Sequence, residues 1–362
     1  MKNTFGDSLS ITLFGESHGE AIGAILDGVA PGIMVDCEYI ANQLSLRRPA
    51  GKISTARKEA DAFKIVSGVK NGYTCGTPIC ILIENFDTKS GDYDKIKDLP
   101  RPSHADFSAR AKYHGFEDAA GGGHFSGRIT APIVAAAAII IPALNKKGIY
   151  IGTHIKNIGA AYDRDFYNLK DDILRLNKLQ FAVLDETAAN KMQEEILAAA
   201  GEGDSIGGIL ETAVIGMPAG VGEPWFDTLE GKLSHALFSV PAIKGVEFGA
   251  GFEFSKMRAS KANDEFALDG DSIKLKTNNN GGILGGISSG MPIIFKCAVK
   301  PTPSISKPQK TVDIKDMTEK EITVLGRHDP CIVHRARVVI DSVTALALAD
   351  MLALRFGTDW LV

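Results

Sequence analysis

The amino-acid sequence predicts an α+β fold made of two topologically related halves. Short runs of alternating apolar and polar residues, closed by glycine turns, are typical of antiparallel strands. The turns at residues 15–19 (GESHG) and 28–32 (GVAPG) recur at one constant offset as residues 203–207 (GDSIG) and 216–220 (GMPAG). A helical pattern follows the second turn in each half. Chance recurrence of such short matches is the alternative interpretation.

Strand and helix patterns alternate along the first half. Strands are predicted at residues 8–13, 21–26, 64–69 and 78–83. Asp36 has the side chain of an N-cap, for a helix that ends before Pro49. The most apolar stretch, residues 131–144, predicts a buried helix that Pro132 opens. It is shorter than the roughly 20 residues that a membrane span needs.

The second half repeats this order. A strand is predicted at residues 149–158, and helices at residues 185–200, 227–237 and 341–356. Residues 259–280 are polar, which predicts a mobile loop. No low-complexity linker separates the halves, so we expect residues 1–362 to form a single domain. Ile206 stands where the first half has His18, so we expect one active site, with the second half contributing scaffold and cofactor contacts.

Composition excludes several classes of partner. A formal net charge of −4 gives no global basic field, so we expect neither a nucleic acid nor a membrane as partner. The five cysteines include no CxxC pair and no histidine at zinc-ligand spacing, so we predict free thiols and no metal. The N-terminal residues do not have the pattern of a signal peptide. Together these features predict a cytoplasmic protein.

Residues 101–128 combine fixed positive charge with titratable rings. Arg101 and Arg128 carry planar guanidinium groups that bind carboxylate or phosphate, whereas His104 changes its protonation state near neutral pH. The glycine run at residues 121–123 allows the backbone to approach a ligand closely and to turn its N–H groups inward. This stretch therefore predicts an anion site that contains a proton donor.

Other clusters have two interpretations each. His18 is either a proton donor or a buried histidine satisfied by a carbonyl group, and residues 47–48 are either an anion site or a solvated helix end. Residues 300–307 suit either a phosphate clamp or a rigid surface crossover. Asp329, beside Arg327, either orients a ring N–H and assists a proton's departure or forms a simple salt bridge.

Taken together, the motifs resemble those of the chorismate synthase family. They are GESHG at residues 15–19, RRP at 47–49, RPSHAD at 101–106, the glycine run with Ser126 and Arg128, GGILGGISSG at 281–290 and GRHDPC at 326–331. The resemblance extends from about Gly6 to Arg355. It implies a helical core sandwiched between two antiparallel β-sheets, and a homotetramer.

The resemblance also implies an activity. The family converts 5-enolpyruvylshikimate 3-phosphate to chorismate and phosphate, a 1,4-anti elimination in the shikimate pathway that needs reduced FMN without net redox change. By resemblance, His18 protonates the departing phosphate, His104 protonates the reduced flavin near N1, and Asp329 works with flavin N5 in removing the C6 proton.

Further residues are assigned to the ligands. Candidates for the two carboxylates and the phosphate of the substrate are Arg47, Arg48, Arg101, Arg128 and Arg335. The FMN contacts implied by the resemblance are His124, Phe125, Ser126, Pro241, Ala242, Gly285, Lys300, Pro301, Thr302, Pro303, Ser304 and Arg327. The family usually has arginine where His124 stands and asparagine where Pro241 stands.

The source of electrons and the rival functions complete the set of expectations. No GxGxxG fingerprint lies on a strand-turn-helix pattern, so we expect a separate flavin reductant rather than reduction by bound NADPH. A phosphate-handling transferase or phosphatase without flavin is the alternative enzyme. An anion-binding or flavin-storage module is the alternative without catalysis.

Overall fold

The computed structural model of the protein describes residues 2–49, 51–55, 61–86, 98–324 and 328–362, with only the backbone described at Lys52. The α-helices are α1 (Cys37–Arg47), α2 (Asp106–Tyr113), α3 (Thr130–Lys146), α4 (Leu169–Leu176), α5 (Glu186–Gly201), α6 (Leu229–Ser239), α7 (Ala259–Ala262) and α8 (Val333–Phe356). Short 3-10 helices span Gly51–Ile53, Ala120–Phe125, Gly127–Ile129, Trp225–Asp227, Gly251–Lys256 and Thr358–Leu361.

The strands belong to two larger sheets and several hairpins. They are β1 (Thr4–Phe5), β2 (Ser10–Gly15), β3 (Ala21–Asp27), β4 (Phe63–Ser67), β5 (Val69–Lys70), β6 (Tyr73–Thr74), β7 (Ile79–Glu84), β8 (Tyr150–Ile158), β9 (Ala161–Tyr162), β10 (Gly208–Ile215), β11 (Ile243–Phe248), β12 (Phe266–Asp269), β13 (Ser272–Leu275), β14 (Ile283–Leu284), β15 (Ile287–Ser288), β16 (Ile293–Val299), β17 (Gln309–Asp313) and β18 (Thr318–Ile322).

The two five-stranded sheets have matching topologies. The first has the order β1-β2-β3-β7-β4, and the second, taken from its β9 edge, has the order β9-β8-β10-β16-β11, with antiparallel pairs throughout. In chain order, β2, β3, β4 and β7 therefore correspond to β8, β10, β11 and β16. The helices α1 and α6 follow β3 and β10, and α3 and α8 follow β7 and β16.

A layer of helices lies between the two sheets. The helix α3 packs against α8, α1, β3 and β7, and α8 packs against β8, β10 and α6. Twenty of the 24 residues of α8 are buried, and residues 130–141 of α3 are all buried. Helices that are buried on every side lie in the centre of a protein. This arrangement confirms the predicted α+β fold, with a helical core between two antiparallel sheets and duplicated halves.

The central helix is longer than the sequence pattern predicts. Residues Gly127–Lys146 are long and apolar enough to cross a membrane, but 89% of their most apolar window is buried inside the fold. The helix α8 likewise begins at Val333, well before the predicted start at residue 341. Its first turns hold Arg337, which donates to Asp341 over 2.8 Å in the core. These buried polar residues interrupt the apolar pattern.

The prediction of a mobile loop at residues 259–280 is wrong. This segment contains α7 and the hairpin of β12 and β13. The carboxylate of Asp264 accepts hydrogen bonds from the Thr277 hydroxyl at 2.6 Å and from the backbone N–H of Asn280 at 2.8 Å. The sequence of this segment is polar because the residues of the hairpin are mostly exposed.

Candidate active site

The glycine run forms a backbone platform that other residues could not adopt. Gly121, Gly122 and Gly123 have φ angles of 61°, 87° and 51°, in the left-handed region that favours glycine. A Cβ atom at Gly123 would lie 1.9 Å from the carbonyl oxygen of Asp118. The N–H of Ser17 donates to the carbonyl of Gly123 over 3.2 Å. This bond joins the GESHG turn to the platform.

The two predicted proton donors lie against neighbouring glycines of this platform. A Cβ atom at Gly121 would lie 1.8 Å from Cε1 of His18, and one at Gly122 would lie 3.3 Å from Cε1 of His104. His18 Nδ1 is hydrogen-bonded to the hydroxyl of Ser17 at 3.1 Å. The structure therefore brings the imidazoles of His18 and His104 together, although 85 residues separate them along the chain.

The orientation of His104 is set by Asp106. His104 Nδ1 donates to Asp106 Oδ1, while Arg101 donates from Nε to Oδ2 and from Nη2 to Oδ1, both over 2.8 Å. Burial acts to raise the pKa of Asp106, but the hydrogen bonds from Arg101 and His104 outweigh it and hold that pKa far below its usual range. A carboxylate on Nδ1 leaves Nε2 of His104 beside Gly122.

Three of the predicted substrate arginines converge on one buried carboxylate. Arg128 donates from Nη1 to Asp61 Oδ1, Arg47 donates from Nη2 to Asp61 Oδ2 over 3.3 Å, and Arg48 Nε lies 3.9 Å from Asp61 Oδ2. We call Arg47, Arg48 and Arg128 the arginine cluster. Arg101 is engaged with Asp106 instead, on the His104 side of the glycine run.

Asn85 connects the arginine cluster to the GESHG turn. Its Nδ2 donates to the carbonyls of Glu16 at 3.0 Å and Gly19 at 2.9 Å, and its Oδ1 accepts from Nε of Arg128 at 3.0 Å. The turn that carries His18 and the guanidinium of Arg128 are thus held by one amide side chain.

Asp329 and Arg335 adjoin the same cluster. Arg335 donates from Nη1 to Asp329 Oδ2 and from Nε to the carbonyl of Arg47 over 2.9 Å. The N–H of Thr55 donates to Asp329 Oδ1 over 2.9 Å. Arg327, which is predicted to contact FMN, lies outside the described residues.

Known proteins match this chain along almost its whole length. A family model described as Chorismate synthase matches residues 9–353. A chorismate synthase of Pyrococcus abyssi is 47% identical over 350 residues, which cover 97% of this chain and 97% of that protein. One of Dehalococcoides mccartyi is 45% identical over 358 residues, covering 99% and 98%. A solved crystal structure of a chorismate synthase has a TM-score of 0.76 at 27% identity and covers 97% of this chain and 94% of that one.

The chain belongs to the chorismate synthase family. It is therefore a lyase of the shikimate pathway that acts on a small-molecule substrate, and the non-enzymatic alternative falls away.

In the chorismate synthase fold of this chain, several residues predicted to bind cofactor surround one cavity. The cavity has a volume of about 320 Å³ and lies between the N-terminal strands and the helices α3, α6 and α8. His124, Ser126 and Pro241 line it. His124 Nδ1 donates to the carbonyl of Gly15 over 2.9 Å. Beside it, Phe125 is partly exposed, and its ring centroid lies 6.1 Å from that of Tyr113.

A second group of these residues reaches the His104 loop from the other half. Lys300 donates from Nζ to the carbonyl of Ser103, and its N–H donates to the carbonyl of Ala242 over 2.9 Å. Thr302 accepts at its carbonyl from the Ser205 hydroxyl over 2.7 Å. The hydroxyl of Thr302 is buried and has no hydrogen-bond partner among the residues that the structure describes. Pro301, Pro303 and Ser304 flank it in the same segment.

Gly285 lies apart from Pro241 and Ala242. It occupies the turn between β14 and β15, and the carbonyl of the next residue, Gly286, accepts from the N–H of Leu229 at the start of α6. Pro241 and Ala242 follow the opposite end of α6. A helix rises about 1.5 Å per residue, so the length of α6 separates the two groups.

Sequence reasoning missed the residues that hold the catalytic candidates in place. Asp106 belongs to the RPSHAD motif, and its spacing from His104 was an available signal. Asp61 and Asn85 have no comparable signal, because an isolated acid or amide resembles any surface residue until the fold brings its partners near.

Proposed function

We propose that this enzyme converts 5-enolpyruvylshikimate 3-phosphate to chorismate and phosphate by a 1,4-anti elimination, with reduced FMN as cofactor. The observation that carries the proposal is the pair of imidazoles, His18 and His104, against neighbouring glycines of one platform. The platform continues into Arg128, a member of the arginine cluster. A trianionic substrate that loses phosphate needs both fixed cations and proton donors.

The arginine cluster and Arg335 supply the fixed positive charge for the substrate. Guanidinium groups bind carboxylate and phosphate oxygens through two parallel hydrogen bonds, which fixes orientation as well as position. Arg47 and Arg128 are almost fully buried, so they meet a bound anion with little competition from water. Holding the substrate in one orientation contributes to the rate by itself.

The chain has groups that fit FMN. The buried Thr302 hydroxyl lacks a partner among the described residues, so it is available to a ligand, and its segment follows Lys300. His124 and Ser126 would hold the cofactor from the first half, and Ala242 with residues 300–304 from the second. When bound, the reduced flavin supplies the electron density that weakens the carbon–oxygen bond to phosphate.

The titratable residues move protons around these ligands. His18, held by the Ser17 hydroxyl, would give a proton to the departing phosphate oxygen. His104, whose Nδ1 is bonded to the Asp106 carboxylate, would hold a proton on Nε2 toward the cofactor. Asp329, oriented by Arg335 and the Thr55 N–H, would take part in removing the C6 proton.

The remaining expectations join the proposal. The enzyme would act in the cytoplasm as a homotetramer, and a separate reductant would supply reduced FMN. A chain without its own NADPH chemistry should stay inactive with oxidised FMN and NADPH, and should turn over once dithionite has reduced the flavin.

An oxygen-free assay with chemically reduced FMN tests the proposal. We expect chorismate and phosphate to form in equal amounts, with the flavin still reduced at the end. Phosphate release at the same rate without flavin would favour the flavin-free transferase or phosphatase. Flavin binding without any phosphate release would contradict the proposed reaction.

A further inference from the structure

We infer that Asp61 is a positioning residue for the arginine cluster. Its carboxylate holds the guanidinium groups of Arg47, Arg48 and Arg128 in the arrangement that receives the anionic groups of the substrate. This inference rests on the proposed function, since it concerns how that substrate is bound.

The geometry of Asp61 is that of a central acceptor. Its side chain is 0% exposed, and those of Arg47 and Arg128 are 8% and 3% exposed. Oδ1 accepts from Arg128, while Oδ2 accepts from Arg47 and lies 3.9 Å from Arg48 Nε. Asp61 has a φ of 49°, in the left-handed region that aspartate tolerates better than most residues. Both carboxylate oxygens therefore face the cluster.

The three cations come from two elements. Arg47 ends α1, Arg48 is its C-cap residue, and Arg128 lies in the 3-10 helix that precedes α3. Like charges repel at short range, and the repulsion grows in a buried site where water does not screen it. A carboxylate between them converts this repulsion into attraction. Asp61 thus ties the end of α1 to the start of α3.

Other contacts orient Arg128 but do not replace Asp61. Its Nε donates to Asn85 Oδ1 over 3.0 Å, and its Nη2 to the carbonyl of Glu84 over 3.4 Å. Arg47 Nη1 donates to the carbonyl of Gly127 over 3.4 Å. Each of these neutral acceptors binds a single guanidinium group. Asp61 lies within 4 Å of all three guanidinium groups, so it sets their mutual spacing.

Asp61→Asn distinguishes positioning from bulk charge because the two effects have opposite signs. The substitution makes the cluster more positive by one charge, so long-range attraction alone would tighten binding of an anionic substrate. Loss of a positioning carboxylate lets the guanidiniums move apart and weakens binding instead. The direction of the change in KM therefore identifies the role.

The experiment measures kcat and KM for 5-enolpyruvylshikimate 3-phosphate under oxygen-free conditions with reduced FMN. For Asp61→Asn we expect KM to rise at least tenfold and kcat to fall less, with the FMN dissociation constant within twofold of wild type by flavin fluorescence. Asp61→Glu keeps the charge but displaces it by one methylene, so we expect KM to rise at least fivefold there too.

Asp172→Asn is the matched control. Asp172, in α4, accepts from Arg164 over 2.7 and 3.1 Å in a separate carboxylate–guanidinium pair, so the KM of Asp172→Asn should match wild type. A KM that is unchanged or lower in Asp61→Asn, or unchanged in Asp61→Glu, would overturn the inference. Failure of both variants to fold would overturn it as well, since Asp61 would then be structural. A wild-type enzyme without turnover would contradict the proposed function itself.

Discussion

At the residue scale, two glycines set the positions of the two imidazoles. His18 and His104 lie on consecutive residues of the platform. The His18 ring occupies the space that a side chain would take at Gly121, and a Cβ atom at Gly122 would be in tight contact with His104, 3.3 Å from Cε1. The proposed chemistry therefore depends on the absence of a side chain at Gly121 and Gly122 as much as on the two rings.

We predict that Gly121→Ala lowers kcat by at least a hundredfold. The added methyl group would lie 1.8 Å from Cε1 of His18, so the ring must leave its place beside the platform. A displacement of about 1 Å can cost about a hundredfold in rate. Steady-state turnover with reduced FMN measures the effect.

Gly72→Ala is the control for backbone strain. Gly72 has a φ of 80°, and a Cβ atom there would meet no atom of the described residues within 4 Å. It carries the strain of a left-handed alanine, about 1 kcal/mol, without the clash. Equal activity losses in Gly72→Ala and Gly121→Ala would contradict the platform role.

Sequence alone predicted the rings and the arginines but not their supports. Histidine and arginine near glycine form a recognisable local pattern, whereas Asp61 meets Arg128 from a distant part of the chain. No local pattern indicated that the Asp106 carboxylate accepts three hydrogen bonds from Arg101, two from its side chain and one from its backbone N–H. Such choices between partners are made by the tertiary structure.

At the scale of elements, a buried ion cluster joins β8 and β10 to the segment that covers them. His154 Nδ1 donates to Asp163 at 2.7 Å and Nε2 to Glu211 at 2.9 Å, and Lys156 Nζ lies 3.3 Å from Glu211. The ring of Phe166 lies edge-on at 4.8 Å. Burial acts to lower the pKa of His154, but the bonds to both carboxylates outweigh it and raise that pKa.

This cluster predicts a loss of stability in alkaline solution. Because the pKa of His154 is raised in the folded state, this histidine stabilises the fold fully at pH values below its unfolded pKa of about 6.5. The contribution disappears as the pH rises through the pKa of the folded state. The pKa values of Asp163 and Glu211 are lowered despite burial, mainly by His154, so their contribution disappears in acid. We expect the contribution of His154 to the free energy of unfolding to decrease from pH 6 to pH 9.

His154→Gln should flatten this dependence and destabilise the protein by about 3–5 kcal/mol at pH 6, because it leaves the buried carboxylate of Asp163 without its cation and Glu211 with Lys156 alone. His114→Asn is the control, since His114 is exposed and its replacement tolerates the same left-handed backbone. Urea unfolding at several pH values measures the slopes. Identical slopes in wild type and His154→Gln would contradict the prediction.

Local signals predicted some element boundaries and not others. Asp36 accepts a hydrogen bond at the start of α1, as predicted for an N-cap side chain. The helix α5 begins at Glu186, one residue after the predicted start, and Asp185 is its N-cap. The start of α8 has no side-chain cap, so its early residues gave no local signal.

At the scale of the whole molecule, recurring turns predicted a duplication that the sheet topologies display. The two turns of each half precede corresponding strands and helices because each half repeats one connection pattern. One cluster of buried apolar side chains includes residues of both halves, with α3 and α8 between the sheets. The sequence could not show which face of each helix meets which sheet, since apolar residues occur on every face of both helices.

We predict that Ile139→Ala, in the middle of α3, destabilises both halves together by about 2–5 kcal/mol. Ile139 is 0% exposed and belongs to the shared cluster. If the halves unfold as a single domain, circular dichroism and tryptophan fluorescence should report one coincident transition in wild type and variant. Two separated transitions would contradict the single-domain prediction.

The most direct measurement compares single-turnover rates of wild type, His18→Ala and His104→Ala in oxygen-free solution with reduced FMN. We predict that each variant loses at least a hundredfold in rate, in line with the usual contribution of acid–base catalysis, about 100- to 10,000-fold, while binding FMN as wild type does. Rates near wild type in both variants would contradict the assignment of proton transfer to the imidazoles on the glycine platform.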